Sequence, residues 1–308
     1  MKLCTLTGNL LAEWTFLLPE FQRGATQRAQ EMSFQLGGKG INVSRVLCHL
    51  GEDSFAVGFA SGPLRDLAAG WLRERGLEHR FFGLAGGLRP GVVVRETGKK
   101  APETTFLGQD LPVAADAWAE ACAFIASMQP AWLAICGSIP GWATEWLEPV
   151  RALLSGSPQT RLALDTYGPP LDDLVRLPAE IVKINAAEGR RLLQDSAAEA
   201  KAGAELRSLR RRFSVRNWIL TDGAGPIHVA AEGKSPFSLH PASIREISPT
   251  GSGDTFLAAL LSRWTGAEAT PPREALAFAC ACATANAAVP GIADFPLPVA
   301  ESHYPMVG

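Results

Sequence analysis

A chain of 308 residues, 47% of them hydrophobic, is long enough to bury a large core and is neither a disordered nor a fibrous polymer. Acidic and basic residues nearly cancel at a net charge of -2, with a pI near 6.2, so no global field draws the chain to nucleic acid or to an anionic membrane. The six cysteines lie apart inside apolar segments without C-x-x-C spacing, and the five histidines form no i, i+4 pair, so neither a zinc nor a histidine-built metal site is indicated.

At the N-terminus, Gly8, Asn9 and Glu13 break any leader-like apolar core, and a cytoplasmic protein is expected. The stretch from Asn9 to Gln35 fits no regular helix–strand alternation. It gives way to Leu36-Gly37-Gly38-Lys39-Gly40-Ile41-Asn42, after which Val43, Val46, Leu47 and Leu50 fall at i, i+3, i+4 and i+7. A Gly-rich turn therefore opens a helix, where backbone approaches a ligand closely and free amides face oxygen-rich groups. Taken alone, the same turn is open to a purely structural reading as well, and its spacing is not that of a Walker A loop. Asn42-Val43-Ser44 matches a glycosylation acceptor, which carries no weight in a chain expected to be cytoplasmic. A second irregular excursion, Leu88 to Leu107, holds a Val92-Val93-Val94 run flanked by charge and is expected to join Asn9–Gln35 in a small separate sheet.

The middle of the chain alternates short apolar runs with helical patterns. Ala131–Cys136, Arg161–Asp165, Ile181–Asn185 and Asn217–Thr221 read as buried strands, which predicts an α/β fold with a parallel sheet. These runs end at Gly137-Ser138, Asp165-Thr166, Asn185 and Asp222-Gly223. Ligands of open α/β sheets bind beyond such carboxyl ends. Ser248-Pro249-Thr250-Gly251-Ser252-Gly253-Asp254 then opens another helix, with Leu257, Leu260, Leu261 and Trp264 on one face. Asp254 there is either a charge that suits a helix N-terminus or a base beside an anion hole, the arrangement phosphoryl transfer needs. Phe256 occupies the place of the third glycine of a dinucleotide fingerprint, which excludes that motif. Ala275–Val289, interrupted by Thr284 and Asn286, is shorter than the roughly 20 residues of a membrane span and reads as a buried helix.

Together the two Gly-rich segments resemble the signatures of the phosphofructokinase B (PfkB) carbohydrate kinases of the ribokinase-like superfamily: G-G-K-G-x-N near one end and a T-x-G-x-G-D-type block near the other. Gly137-Ser138-Ile139-Pro140-Gly141, Asn185-Ala186-Ala187-Glu188 and Thr221-Asp222-Gly223-Ala224-Gly225 resemble three further family motifs, so the likeness runs from about residue 1 to residue 296. It implies one three-layer α/β/α sandwich over 1–308, with a mostly parallel central sheet and a β-sheet lid from residues near 9–35 and 88–107. It also implies an ATP- and Mg²⁺-dependent kinase and a homodimer formed through the lid. Asp254 would be the catalytic base, ionised from an ordinary pKa of about 3.9, and Gly251, Ser252 and Gly253 the anion hole. Lys183 and Asn185 would lie by the ATP phosphates, Thr221, Gly223 and Gly225 along the nucleotide, and Glu188 would reach Mg²⁺ through water. Gly38, Lys39, Asn42 and Ser138 would face the sugar.

The form G-G-K-G-I-N is similar to the branch acting on phosphorylated ketohexoses, including 1-phosphofructokinase and tagatose-6-phosphate kinase. On that likeness Arg28 and Arg89 would bind the substrate phosphate, to which arginine's planar fork is suited. Two segments depart from the pattern. Glu13 stands where the family has a sugar-binding Asp, a displacement of about an ångström that a reacting geometry feels, and Leu88-Arg89-Pro90-Gly91 keeps an Arg but lacks an Asn. The expected activity is phosphoryl transfer to an alcohol group of fructose 1-phosphate, fructose 6-phosphate or tagatose 6-phosphate. The alternatives are a kinase of a free sugar or nucleoside, and an idle binding protein that senses such ligands.

Overall fold

The computed structural model describes residues 2–97, 103–194, 202–264 and 270–303. In chain order the strands are β1 (Leu3–Thr7), β2 (Leu11–Leu18), β3 (Glu31–Gly37), β4 (Ser54–Phe59), β5 (Glu78–Phe82), β6 (Pro90–Glu96), β7 (Glu103–Leu107), β8 (Trp132–Gly137), β9 (Arg161–Thr166), β10 (Ile181–Asn185), β11 (Asn217–Thr221), β12 (Ile227–Ala230) and β13 (Phe237–Leu239). The helices are α1 (Lys39–His49), α2 (Pro63–Glu74), α3 (Ala115–Met128), α4 (Leu147–Gly156), α5 (Pro169–Leu174), α6 (Ala186–Leu193), α7 (Ala202–Arg212), α8 (Ser252–Arg263), α9 (Arg273–Ala287) and α10 (Leu297–His303).

Nine strands form the main sheet in the order β13-β12-β11-β10-β9-β8-β1-β4-β5. From β11 to β5 every pairing is parallel, and β12 and β13 add an antiparallel edge. Both faces are covered, so the strands read as continuous apolar runs rather than as alternating ones. Alternation survives in what each residue touches. Leu133 and Ile135 of β8 pack with α3 to α7, whereas Trp132, Ala134 and Cys136 pack with α1, α8 and α9. The result is the three-layer α/β/α sandwich that the alternating strands and the resemblance imply. Ile181–Asn185 and Asn217–Thr221 form strands over the spans predicted for them, β8 is shifted one residue along the chain from the predicted Ala131–Cys136, and β9 runs one residue further than predicted.

Four strands, in the order β3-β2-β6-β7, form a second sheet. They come from the two irregular excursions, with β3 running on to Gly37; residues 98–102 of the second excursion lie outside the described residues. A third apolar cluster joins this sheet to the main body, packing Leu10, Ala12, Leu36 and Ile41 against Ala68, Trp71 and Leu72 of α2. Full burial of each such large apolar side chain is worth about 1.5–3 kcal/mol, so the inner end of the small sheet is anchored rather than hung from its connections. Among the described residues no helix is long and apolar enough to cross a membrane, and all six cysteines are free thiols.

Candidate active site

Two glycine turns bring the site together. Gly38, at φ 135°, precedes α1, and a Cβ there would stand 2.9 Å from Thr7 Cγ2; at Gly40 a Cβ would run into Thr7 Oγ1. Only glycine lets α1 begin this tightly against the end of β1. That placement turns Asn42 inward, where its Nδ2 donates to Asp254 Oδ2 at 2.7 Å. On the facing helix, Gly251 is left-handed at φ 79°, and a Cβ would meet Ile292 Cγ2 at 2.7 Å. Asp254 is the third residue of α8 and is buried at 6% exposure. Of the three expected anion-hole residues, Ser252 already spends its amide on Pro249 O at 3.1 Å, whereas Gly253 borders open space.

Between the two turns lies a group of opposed charges. Asp165, at the end of β9, is fully buried; its Oδ1 accepts from Lys39 Nζ at 2.8 Å and its Oδ2 from Lys183 Nζ at 2.7 Å. A buried carboxylate is costly unless paired. Burial pushes the Asp165 carboxyl up, but the two ammonium groups outweigh it and hold it down at about 2. Burial opposes the Lys39 ammonium in turn, and Asp165 and Asp254 outweigh that and hold it above its ordinary value. Among the described residues Asp254 receives no comparable ion pair. Burial first, then the Asp165 charge, push its carboxyl up to about 6 against the pull of Lys183, Lys39 and Asn42. The ordinary value expected from sequence is therefore corrected upwards, toward that of a base poised near neutral pH.

This group sits on a cavity of about 460 Å³ roofed by the small sheet. Asn9, Glu13, Arg89 and Ser138 line it beside the small sheet and the end of β8, Lys39, Asn42, Gly253 and Asp254 at the two glycine turns, and Lys183, Asn185, Glu188 and Thr221 at the ends of β10 and β11 and the start of α6. A second cavity of about 400 Å³ shares Thr221 and Gly253 with the first and continues over Gly223, Ala224, Phe256 and Thr284. Glu13 is buried and accepts from Gln35 Nε2, its cross-strand neighbour. Asn185 and Glu188 close a reciprocal capping box on α6, with bonds of 2.8 and 2.9 Å.

Most residues singled out in the sequence thus meet in one place: Glu13, Gly38, Lys39, Asn42, Arg89, Ser138, Lys183, Asn185, Glu188, Thr221, Gly251, Gly253 and Asp254 line the first cavity, and Gly223 and Ser252 the second. Two do not. Arg28 is exposed in the β2–β3 loop, outside both cavities; within that loop Gln27 accepts from Gln22 N at 2.8 Å and donates to Glu20 O at 2.7 Å. Gly225 closes its turn on Asp222 O at 2.7 Å and lines neither space. Three residues receive no role from sequence, although Asp165-Thr166 reads as a strand end. Asp165 and Asp110 carried no motif, and Asn286, inside an apolar helix, ties two loops together by donating to Thr250 O at 2.9 Å and Ser252 Oγ at 3.0 Å and accepting from Ala293 N at 2.9 Å.

The donor set bears on a divalent cation. Among the described residues no group of three or more His, Cys, Asp or Glu side chains converges on one point. Glu188 spends Oε2 on the Asn185 amide and borders the same cavity as Lys183 and Thr221. That fits a cation held mainly by phosphates and water, with Glu188 behind the water, and not an all-protein cage.

The chain's residues 1–300 match the sequence model of the pfkB family carbohydrate kinases. The fold is shared with phosphofructokinase-2 from Escherichia coli in complex with fructose-6-phosphate, at 17% identity and TM-score 0.87, covering 99% of this chain and 98% of that one. The tetrameric inhibited form of the same enzyme superposes at TM-score 0.85 and 18% identity over 99% and 98% of the two chains. Ribokinase from Giardia lamblia superposes at TM-score 0.75 and 14% identity over 98% and 99%.

Proposed function

The chain belongs to the pfkB family of carbohydrate kinases, and from that premise we propose that it transfers the γ-phosphoryl group of ATP to a hydroxyl of a sugar-class acceptor, with Asp254 as the base. The observation that carries this reading is Asp254 itself, buried in the first turn of α8 on a cavity lined both by the small sheet and by the ends of β10 and β11. An acceptor seated at the Glu13 end presents its hydroxyl to Asp254, which is anionic above about pH 6 and takes the proton. As the new O–P bond forms, the bond to ADP breaks and charge accumulates on the leaving oxygens. Lys183 and the α8 N-terminus are disposed to hold that charge. Lys39 and Lys183 are fixed by Asp165, so little reorganisation is needed when the phosphates arrive. Mg²⁺ accompanying the nucleotide would neutralise phosphate charge and meet Glu188 through water.

A ketohexose phosphate is the first acceptor reading, supported by Arg89 in the cavity and by the phosphofructokinase neighbour crystallised with fructose-6-phosphate. One observation favours a free sugar instead: Arg89 is already paired with Asp110 at 2.7 Å, and Arg28 stands outside the cavity. The test is ADP release from MgATP against fructose 1-phosphate, fructose 6-phosphate, tagatose 6-phosphate, fructose, ribose and adenosine. Acceptor-dependent turnover with any of these supports the kinase reading and identifies the class. Tight binding of one acceptor without turnover would replace it with a sensor.

We also propose that the lid pairs two copies of the chain. On one face of the small sheet Trp14, Phe16, Met32, Phe34, Val92 and Phe106 are cross-strand neighbours, and Met32 and Phe106 remain 62% and 52% exposed. Apolar side chains exposed together in this way suit a partner surface.

A further inference from the structure

The Glu13 end of the cavity is organised by a carboxylate behind its wall. Asp110, in the segment after β7, accepts on Oδ1 from Arg89 Nη1 at 2.7 Å and from Asn9 Nδ2 at 2.9 Å. Asn9 Nδ2 also donates to Ser138 Oγ at 3.0 Å, so three wall residues of that end are tied in one chain. The Arg89 side chain is 15% exposed and that of Asp110 is 55% exposed, which leaves the pair at the water's edge of the cavity. Arg89 is the cation of this end, while Asp110 and the buried Glu13 are two carboxylates. An uncharged acceptor finds donors and acceptors there in Asn9, Ser138, Gln35 and Glu13. A phosphate must instead share Arg89 with Asp110 or displace it, and meets a like charge while doing so.

Resting on the kinase reading above, we infer that Asp110 is a specificity-determining residue whose carboxylate penalises an acceptor bearing phosphate at the Arg89 end and so favours one whose far end is uncharged. Specificity is a difference of two affinities, and an element that repels the wrong ligand serves it as well as one that attracts the right ligand. Asp110 acts through Arg89 and Asn9 and not on the reacting atoms.

The test compares wild type, Asp110→Asn and Asp110→Glu with fructose 6-phosphate and fructose as paired acceptors. Asn keeps the oxygen that accepts from Arg89 and Asn9 and removes only the charge. The ratio of kcat/KM for the phosphorylated over the free sugar is expected to rise about tenfold in Asp110→Asn and to stay near the wild-type ratio in Asp110→Glu. A purely structural role would change both acceptors in parallel, and an unchanged ratio in Asp110→Asn overturns the inference. Calorimetric binding of fructose 6-phosphate to the same proteins gives a readout independent of turnover. Tighter binding to Asp110→Asn by about tenfold supports the charge penalty even if neither sugar is phosphorylated, an outcome that would sink the kinase reading with these acceptors alone. Equal binding to both proteins overturns it. Asp110→Ser, which also removes the charge, repeats the comparison should the Asn variant melt early.

Discussion

Asp254 and Asp165 are both buried carboxylates, yet opposite forces act on them. Asp165 is neutralised by two ammonium groups, whereas Asp254 receives one amide bond and the repulsion of Asp165. Removing the Asp165 charge in Asp165→Asn lifts that repulsion and frees Lys39 and Lys183 to stabilise the Asp254 anion. The acidic limb of the kcat/KM profile, expected near pH 6 in wild type, then moves to lower pH while kcat falls because both lysines lose their anchor. A profile that drops in height with its limb unmoved would refute the coupling. Asp254 also bears on stability. Its folded pKa lies above the unfolded value of about 3.9, so the folded chain holds the extra proton and stability declines as pH rises between the two values. Asp254→Asn should therefore raise the Tm above about pH 6 and leave it unchanged below about pH 4. Thermal melts across that range decide it, and a lower Tm at pH 8 would contradict the assigned direction.

At the scale of elements, the site is the meeting of two helix N-termini across the ends of β1, β9 and β10, and it depends on loops held by few bonds. Asn286 of α9 is fully buried and joins the Thr250–Ser252 turn to the Ile292–Ala293 turn, against which Gly251 is packed. Asn286→Ala leaves buried partners unsatisfied and should cost about 1–3 kcal/mol in chemical denaturation, with a loss in kcat larger than the change in KM for ATP. A stable variant with full kcat would show that the turn holds itself. Sequence alone exposed the two glycine turns, because a helix opening at glycine leaves a local signature in spacing. Asn286 and Asp110 left none, and Asp165 only its place at the carboxyl end of a strand: each acts on residues distant in sequence, as when Asp110 reaches Asn9, 101 positions away. Arg28 shows the converse, since its sequence neighbourhood suggested a ligand contact while the β2–β3 loop leaves it exposed and outside both cavities.

For the molecule as a whole, the parallel sheet supplies a floor and the small sheet a roof anchored at its inner end. Parallel strands were legible as continuous apolar runs, and the roof as two stretches that fitted no such rhythm; the pairing of β2 with β6, distant in sequence, was not. The exposed Met32 and Phe106 give the proposed assembly its test. Wild type is expected to sediment as a dimer or larger species, and Met32→Glu with Phe106→Glu as a monomer with a raised KM for the acceptor. A monomeric wild type would remove the lid from any interface.

The central claim is that Asp254 takes a proton from an acceptor hydroxyl during transfer from ATP. It is tested most directly by acceptor-dependent ADP release in wild type and in Asp254→Asn, at saturating MgATP and pH 8, alongside calorimetric ATP binding to both. The account expects kcat to fall by about a thousandfold with ATP affinity within a few fold of wild type. An Asp254→Asn enzyme retaining more than about a tenth of wild-type kcat would contradict it, because no general base contributes so little.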